Sequence, residues 1–160
     1  MRIVILLSFI AAFLTGCESA ANTALTGTTA PRVTYTGGGL KQVQGFAGKR
    51  VREIELWDAP DMKERFEKML GDGFPAFTEE WLVEGPITVD GDVLMAAGCE
   101  QNNCEKNQWV LIADVANDNM NLYNIKNGDT KIYKEKKDEI KLPQAFSDEL
   151  DKLKAVQGVK

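Results

Sequence analysis

The sequence predicts an α+β domain in which a central antiparallel sheet of about five strands carries helices packed on one face. Three observations lead to this prediction. The middle of the chain alternates short apolar runs with turn signals, of which Asp90-Gly91 and Asn127-Gly128 are the strongest hairpin signals. Apolar residues at helical spacing precede these runs, and a second helical stripe follows them near the C-terminus.

Residues 1–16 are predicted to be a signal peptide and not part of the fold. Arg2 gives a positive start, and residues 3–13 form an almost unbroken apolar run that is too short to span a bilayer stably. The run closes with Leu14-Thr15-Gly16-Cys17, which resembles the lipobox of bacterial lipoproteins. That resemblance implies that Cys17 is lipidated and becomes the mature N-terminus; the alternative is an ordinary signal peptide with an accidental cysteine.

A lipoprotein of this kind is expected at the outer membrane, facing the periplasm. Glu18 follows Cys17, whereas the commonest sorting pattern for inner-membrane retention has Asp at this place. Residues 17–39 are small and polar without apolar periodicity, which is typical of a flexible tether. The folded domain is therefore predicted to span residues 40–160.

Helices are predicted before and after the strands along the chain. Residues 40–57 are irregular and predict a short helix or strand that covers one face. A clearer helix follows, with Asp58 as its N-cap, Pro60 in its first turn and Gly71 after its end. Its apolar stripe consists of Met62, Phe66, Met69 and Leu70. After the turn cluster at residues 71–75, the chain is predicted to become extended.

The sheet and the last helix are predicted from the second half of the chain. Residues 109–115 form a continuous apolar run that suits a buried central strand. Charged residues 135–139 are predicted to be a solvated face. The strands are expected at residues 87–89, 93–97, 109–115, 120–125 and 130–133. Pro143 opens a C-terminal helix whose apolar stripe is Phe146, Leu150 and Leu153.

The three cysteines divide into one lipidation candidate and one pair. With Cys17 acylated, Cys99 and Cys104 remain, separated by four residues, and export would place them where disulfides persist. Their spacing is not that of a thioredoxin-type redox pair, and a second pair or a histidine that could complete a zinc site is missing from the sequence. A disulfide between them is therefore expected.

The sequence carries no convincing active site, and we expect neither an enzyme nor a cofactor or metal. Histidine is absent, which removes the commonest general base and zinc ligand. The carboxylate pairs Glu79-Glu80 and Asp90 with Asp92 lie beside turns, where solvated acids are ordinary. Asp114 with residues 117–119 lacks the oxygen spacing of a calcium loop.

Net charge indicates the kind of partner. The full chain has a net charge of −5, and loss of residues 1–16 leaves 18 basic residues against 24 acidic ones, a net charge of about −6. An acidic surface argues against nucleic acid and favours a basic partner.

Binding of a partner by the loop that the two cysteines would close is a better hypothesis than catalysis. The loop interior is Glu100, Gln101, Asn102 and Asn103, with one carboxylate and three amides that can enter a polar cleft. Closing the ring would reduce the ordering cost of binding. The alternative is a stapled turn without a partner.

The segment from Phe74-Pro75-Ala76 through residue 123 resembles the inhibitor of vertebrate lysozyme (Ivy) family. Its most specific feature is Cys-x4-Cys between two strands, after a Phe-Pro-Ala segment. The resemblance implies a central antiparallel sheet and a disulfide-closed loop, Cys99 to Cys104, that enters the active-site cleft of c-type lysozyme. The family loop reads Cys-Lys-Pro-His-Asp-Cys, and its His contacts the two catalytic carboxylates. The four interior residues differ here, and Asn102 stands in place of the His.

The sequence thus predicts an envelope lipoprotein that inhibits c-type lysozyme by inserting the inhibitory loop, residues 99–104. The alternative is a non-enzymatic structural or interaction lipoprotein of the same fold that binds a different envelope partner. The partner is expected to be c-type lysozyme or another basic envelope-directed protein. Further partners are the membrane, through a lipid on Cys17, and a second copy of the chain, because dimers occur in the family. Nucleic acid is not expected.

Overall fold

A computed structural model describes residues 33–35 and 38–158. The predicted signal peptide, Cys17 and most of the predicted tether lie outside the described residues. In the described part, none of the helices combines the length and the hydropathy needed to cross a membrane.

The described residues form one antiparallel sheet of six strands. The strands are β1 (Val83–Glu84), β2 (Thr88–Asp90), β3 (Val93–Cys99), β4 (Asn107–Asp114), β5 (Asn119–Lys126) and β6 (Asp129–Lys134). Their order in the sheet is β1-β3-β4-β5-β6, and the short β2 also pairs with β3 beyond the end of β1. The α+β class and the antiparallel sheet predicted from the sequence are confirmed.

Both predicted hairpins are confirmed. Asp90 pairs with Val93 across a two-residue turn in which Gly91 has a φ of 60°. The β5–β6 turn has left-handed φ angles at both central residues, 54° at Asn127 and 89° at Gly128. An Asn-Gly pair suits such a turn because both residue types adopt positive φ at low cost.

Four α-helices surround the sheet in the described residues: α1 (Lys41–Gln44), α2 (Pro60–Leu70), α3 (Phe74–Glu80) and α4 (Gln144–Gly158). The prediction that Asp58 caps α2 is wrong. Asp58 ends a 3₁₀ turn, and Ala59 is the N-cap, without a capping side chain. The reason is that the residue before Pro60 is restricted to an extended conformation, so the helix starts after Ala59.

The prediction of extended chain after the turn cluster is also wrong, because residues 74–80 form α3. Pro75 lies in its first turn, a position where the missing N–H costs nothing. Phe77 is fully buried and packs edge-on against Trp57, with ring centroids 4.8 Å apart, and its ring lies 5.7 Å from that of Phe66 in α2. This aromatic packing stabilises the short helix.

The helices cover both faces of the sheet, whereas the sequence analysis predicted helices on one face only. In β4, Leu111 and Ala113 belong to the apolar core that contains α1, α2 and α3. Their neighbours Val110 and Ile112 belong to a second core, which α4 closes with Phe146 and Leu150. Successive residues of a strand point to opposite faces, so α4 lies on the face opposite to α1–α3.

The N-terminal edge of the domain is held by polar contacts. Within the predicted tether, the hydroxyl of Tyr35 donates to the carbonyl of Ile54, and Tyr35 is partly buried against the core. Arg65 of α2 bonds Glu135 through Nε at 2.6 Å, and both side chains are largely buried, at 14% and 18% exposure. Glu135 therefore does not belong to a solvated face. Arg65 also pairs with the carboxylate of Asp118. Asp118 in turn accepts from the backbone N–H of Leu40 at 3.1 Å.

Candidate functional site

The candidate loop leaves the sheet between its two central strands. Cys99 is the last residue of β3 and pairs with Gln108 of β4. The base of the loop, where β3 ends, packs against the fully buried Trp81: a Cβ on Gly98 would lie 2.4 Å from the ring of Trp81. The next residue, Leu82, donates its N–H to the carbonyl of Cys99 at 3.0 Å. Glycine is therefore required at position 98.

A disulfide between Cys99 and Cys104 closes residues 99–104, the predicted inhibitory loop, with Cα atoms 5.0 Å apart. Cys99 is buried, so the bond joins the loop to the sheet. In the chain-entropy account, a closed ring of this size stabilises the fold by about 2 kcal/mol. Its larger effect is on binding, since a closed loop loses less freedom when it meets a partner.

A tight turn shapes the residues inside the ring. The N–H of Asn103 donates to the carbonyl of Glu100 at 3.0 Å. Asn102, the third residue of this turn, has a left-handed φ of 62°, which asparagine tolerates better than most residues. The carbonyl of Asn103 then accepts from the N–H groups of Lys106 and Asn107, both at 2.9 Å. The backbone from Glu100 to Asn107 is therefore held by its own hydrogen bonds.

Glu100 bonds side chains of the loop and of the strand that follows it. Its Oε2 accepts from the side-chain amides of Asn103 at 2.6 Å and Asn107 at 3.4 Å. The hydrogen bond from Asn103, then that from Asn107, and the positive charge of Lys126 lower the pKa of the Glu100 carboxyl group below its usual value. The carboxylate is thus an internal cap of the turn.

The structure divides the four predicted interior residues into two pairs. Glu100 and Asn103 are half-buried and bonded to each other, whereas Gln101 and Asn102 are exposed. We call Gln101 and Asn102 the tip of the inhibitory loop. The sequence contained a partial signal, because Glu and Asn at the first and fourth positions of a turn can bond across it.

Several supporting residues were missed by the sequence analysis. Gln108 Nε2 donates to the carbonyl of Cys104 at 2.6 Å. Asn107 is fully buried, and its Oδ1 accepts from Asn124 of β5 at 3.0 Å. The N–H of Asn127, in the β5–β6 turn, donates to the carbonyl of Lys106 at 2.9 Å. The inhibitory loop is therefore supported by two neighbouring strands and the adjacent hairpin.

Two of the other acidic candidates, Glu80 and Asp114, have structural contacts. Glu80 accepts from the indole N–H of Trp109 at 2.7 Å and pairs with Lys126 at 3.4 Å. Asp114 accepts from both the backbone and the side-chain amide of Asn117, as turn chemistry predicts. In the described part of the chain, no group of three or more His, Cys, Asp or Glu side chains is arranged to hold a metal ion.

The fold and this site define a class of small α+β domains that present a disulfide-closed loop at one end of an antiparallel sheet. Residues 61–156 match the family model described as inhibitor of vertebrate lysozyme (Ivy). The match covers more than half of the chain, and the chain therefore belongs to the Ivy family. No curated protein and no solved structure matches the chain. Membership of an inhibitor family supports a role as a lysozyme inhibitor.

Proposed function

We propose that this protein is an envelope lipoprotein that inhibits c-type lysozyme by inserting the inhibitory loop into the active-site cleft. The observation that carries the proposal is the closed, internally bonded loop whose tip, Gln101 and Asn102, is exposed at one end of the sheet. Inhibition requires no chemistry by the inhibitor, only a rigid shape that excludes substrate. The disulfide and the turn supply that rigidity before binding.

The chemistry of the tip suits a polar cleft. Asn102 can donate its amide N–H to a carboxylate, and Gln101 can both donate and accept. Because Glu100 is bonded inward, its negative charge does not stand at the front of the loop. The net negative charge of the whole chain would steer the protein towards a basic enzyme.

A lipid on Cys17 would hold the inhibitor at the outer membrane, facing the periplasm, where an incoming lysozyme reaches peptidoglycan. The support for this part is the Leu-Thr-Gly-Cys sequence that ends the apolar run. The segment between the lipid and the first contacts of the domain, at Val33 and Tyr35, would give the domain reach from the membrane surface.

A lysis assay tests the proposal. Residues 18–160, without the lipidation cysteine, are mixed with c-type lysozyme, and the loss of turbidity of a cell-wall suspension is followed. We expect inhibition at micromolar concentrations, and weaker inhibition by a Cys99→Ser/Cys104→Ser variant that retains the far-UV circular dichroism of the parent. Undiminished lysis at micromolar excess of oxidised protein would refute lysozyme inhibition. The same result would favour the alternative, an interaction lipoprotein with another envelope partner.

A further inference from the structure

Lys106 carries a positive charge at the end of the molecule that presents the inhibitory loop. It lies two residues after Cys104, and its side chain is exposed. Among the described residues, no hydrogen-bond or ion-pair partner is found for its ammonium group. The neighbouring Lys126 differs, because it pairs with Glu80 at 3.4 Å. Lys106 is therefore available for a group on another molecule.

The backbone of Lys106 is held on both sides. Its N–H donates to the carbonyl of Asn103, and its carbonyl accepts from the N–H of Asn127, each at 2.9 Å. The ammonium thus extends on a flexible four-carbon stem from a fixed point beside the disulfide. Binding a partner would cost the freedom of this one side chain and not that of the loop.

The nearby carboxylates of Glu100 and Glu105 do not pair with the ammonium group of Lys106. The carboxylate of Glu100 is already engaged by the amides of Asn103 and Asn107. Glu105 precedes Lys106 and is exposed, but no ion pair joins these two described residues. An unpaired cation therefore stands two residues after the end of the inhibitory loop, in a protein whose overall charge is negative.

We propose that Lys106 is a specificity-determining residue of the inhibitory surface and pairs with a carboxylate in the lysozyme cleft. The inference rests on the proposed function. Lysozyme places two carboxyl groups on either side of the glycosidic bond that it cleaves. A bond between an ammonium and a carboxylate is stronger than one between neutral groups, particularly where water is excluded. The acidic remainder of the inhibitor would meet the basic exterior of the enzyme, while Lys106 meets its acidic cleft.

Calorimetric titration of residues 18–160 into c-type lysozyme tests this inference. We expect Lys106→Gln to raise Kd roughly ten-fold or more and Lys106→Arg, which keeps the charge, to stay within roughly three-fold of the parent. The control is Lys41→Gln, an equal charge change on an exposed residue. Lys41 follows Leu40, which bonds Asp118 in the β4–β5 turn, at the opposite end of the sheet from the loop. The control should leave Kd unchanged.

The outcomes separate this inference from the proposed function. If the parent protein does not bind lysozyme, the proposed function fails and this inference fails with it. If the parent binds and Lys106→Gln binds equally well, only the role of Lys106 is overturned. If Lys106→Gln and Lys41→Gln weaken binding equally, the effect is not specific to position 106, and the role of Lys106 is again overturned.

Discussion

At Asn102, a left-handed backbone and an exposed amide occur together at the tip of the inhibitory loop. The sequence analysis treated all four interior residues as one binding surface, and the structure leaves only Gln101 and Asn102 facing outward. The direction in which the Glu100 side chain points could not be predicted, because it is set by a hydrogen bond from Asn107, a buried residue of the next strand. That contact depends on how the turn folds and not on composition.

Asn102→Asp tests whether the tip enters the cleft. Aspartate tolerates the same left-handed backbone, but its carboxylate would face the catalytic carboxylates of lysozyme. We expect Kd to rise roughly ten-fold or more, measured by calorimetric titration. The control is Asn117→Asp, the same substitution at an exposed position in the β4–β5 turn, at the opposite end of the sheet from the loop. Equal affinity of the Asn102 variant and the parent would place the contact elsewhere.

At the scale of elements, the sequence predicted the hairpins and α4 well but missed α3. The cluster at residues 71–75 is rich in glycine and proline, and such a cluster fits a turn as well as a helix start. What decides the matter is tertiary: Phe77 packs among Trp57 and Phe66, which are distant in sequence. The seven residues of α3 are too few to show a helical periodicity in the sequence.

The apolar stripe of Phe146, Leu150 and Leu153 also could not predict on which side of the sheet α4 lies. An apolar helix face fits either side of a sheet with two apolar faces. A relevant signal was nevertheless present, because residues 109–115 form a continuous apolar run without alternation. Such a run is typical of a strand that is covered on both faces.

Gly98→Ala tests the packing that fixes the base of the inhibitory loop. The added Cβ would lie 2.4 Å from the ring of the fully buried Trp81, which has to move. We expect the free energy of unfolding in urea to fall by about 1–3 kcal/mol. Gly85→Ala is the control, because a Cβ there meets nothing within 4 Å. Similar urea midpoints for the two variants would contradict this account of the loop base.

At the scale of the whole molecule, the charge and the N-terminal sequence bear on where and with what the protein acts. A chain with a net charge of −5 would attract a basic enzyme over several ångströms, an effect that salt weakens. This prediction rests on composition alone. The fold places the inhibitory loop at one end of the sheet and Leu40, the first residue of the predicted domain, beside the β4–β5 turn at the other end.

Cys17→Ser tests the proposed anchor. Serine cannot accept the lipid, so we expect the variant to lose incorporation of labelled palmitate and to leave the membrane fraction of fractionated cells. The parent protein, expressed in the same bacterial host, should be labelled and should sediment with the outer membrane. Unchanged labelling and sedimentation of the variant would show that the lipid, if present, is elsewhere.

Occlusion of the lysozyme cleft is most directly tested by competition for that cleft. Residues 18–160 are titrated into c-type lysozyme that is either free or saturated with an oligosaccharide of N-acetylglucosamine, and Kd is measured in each case. Insertion of the inhibitory loop predicts that the sugar and the inhibitor exclude each other, so the apparent Kd rises in proportion to the sugar concentration. An unchanged Kd, with a ternary complex of enzyme, sugar and inhibitor, would contradict the proposed mechanism.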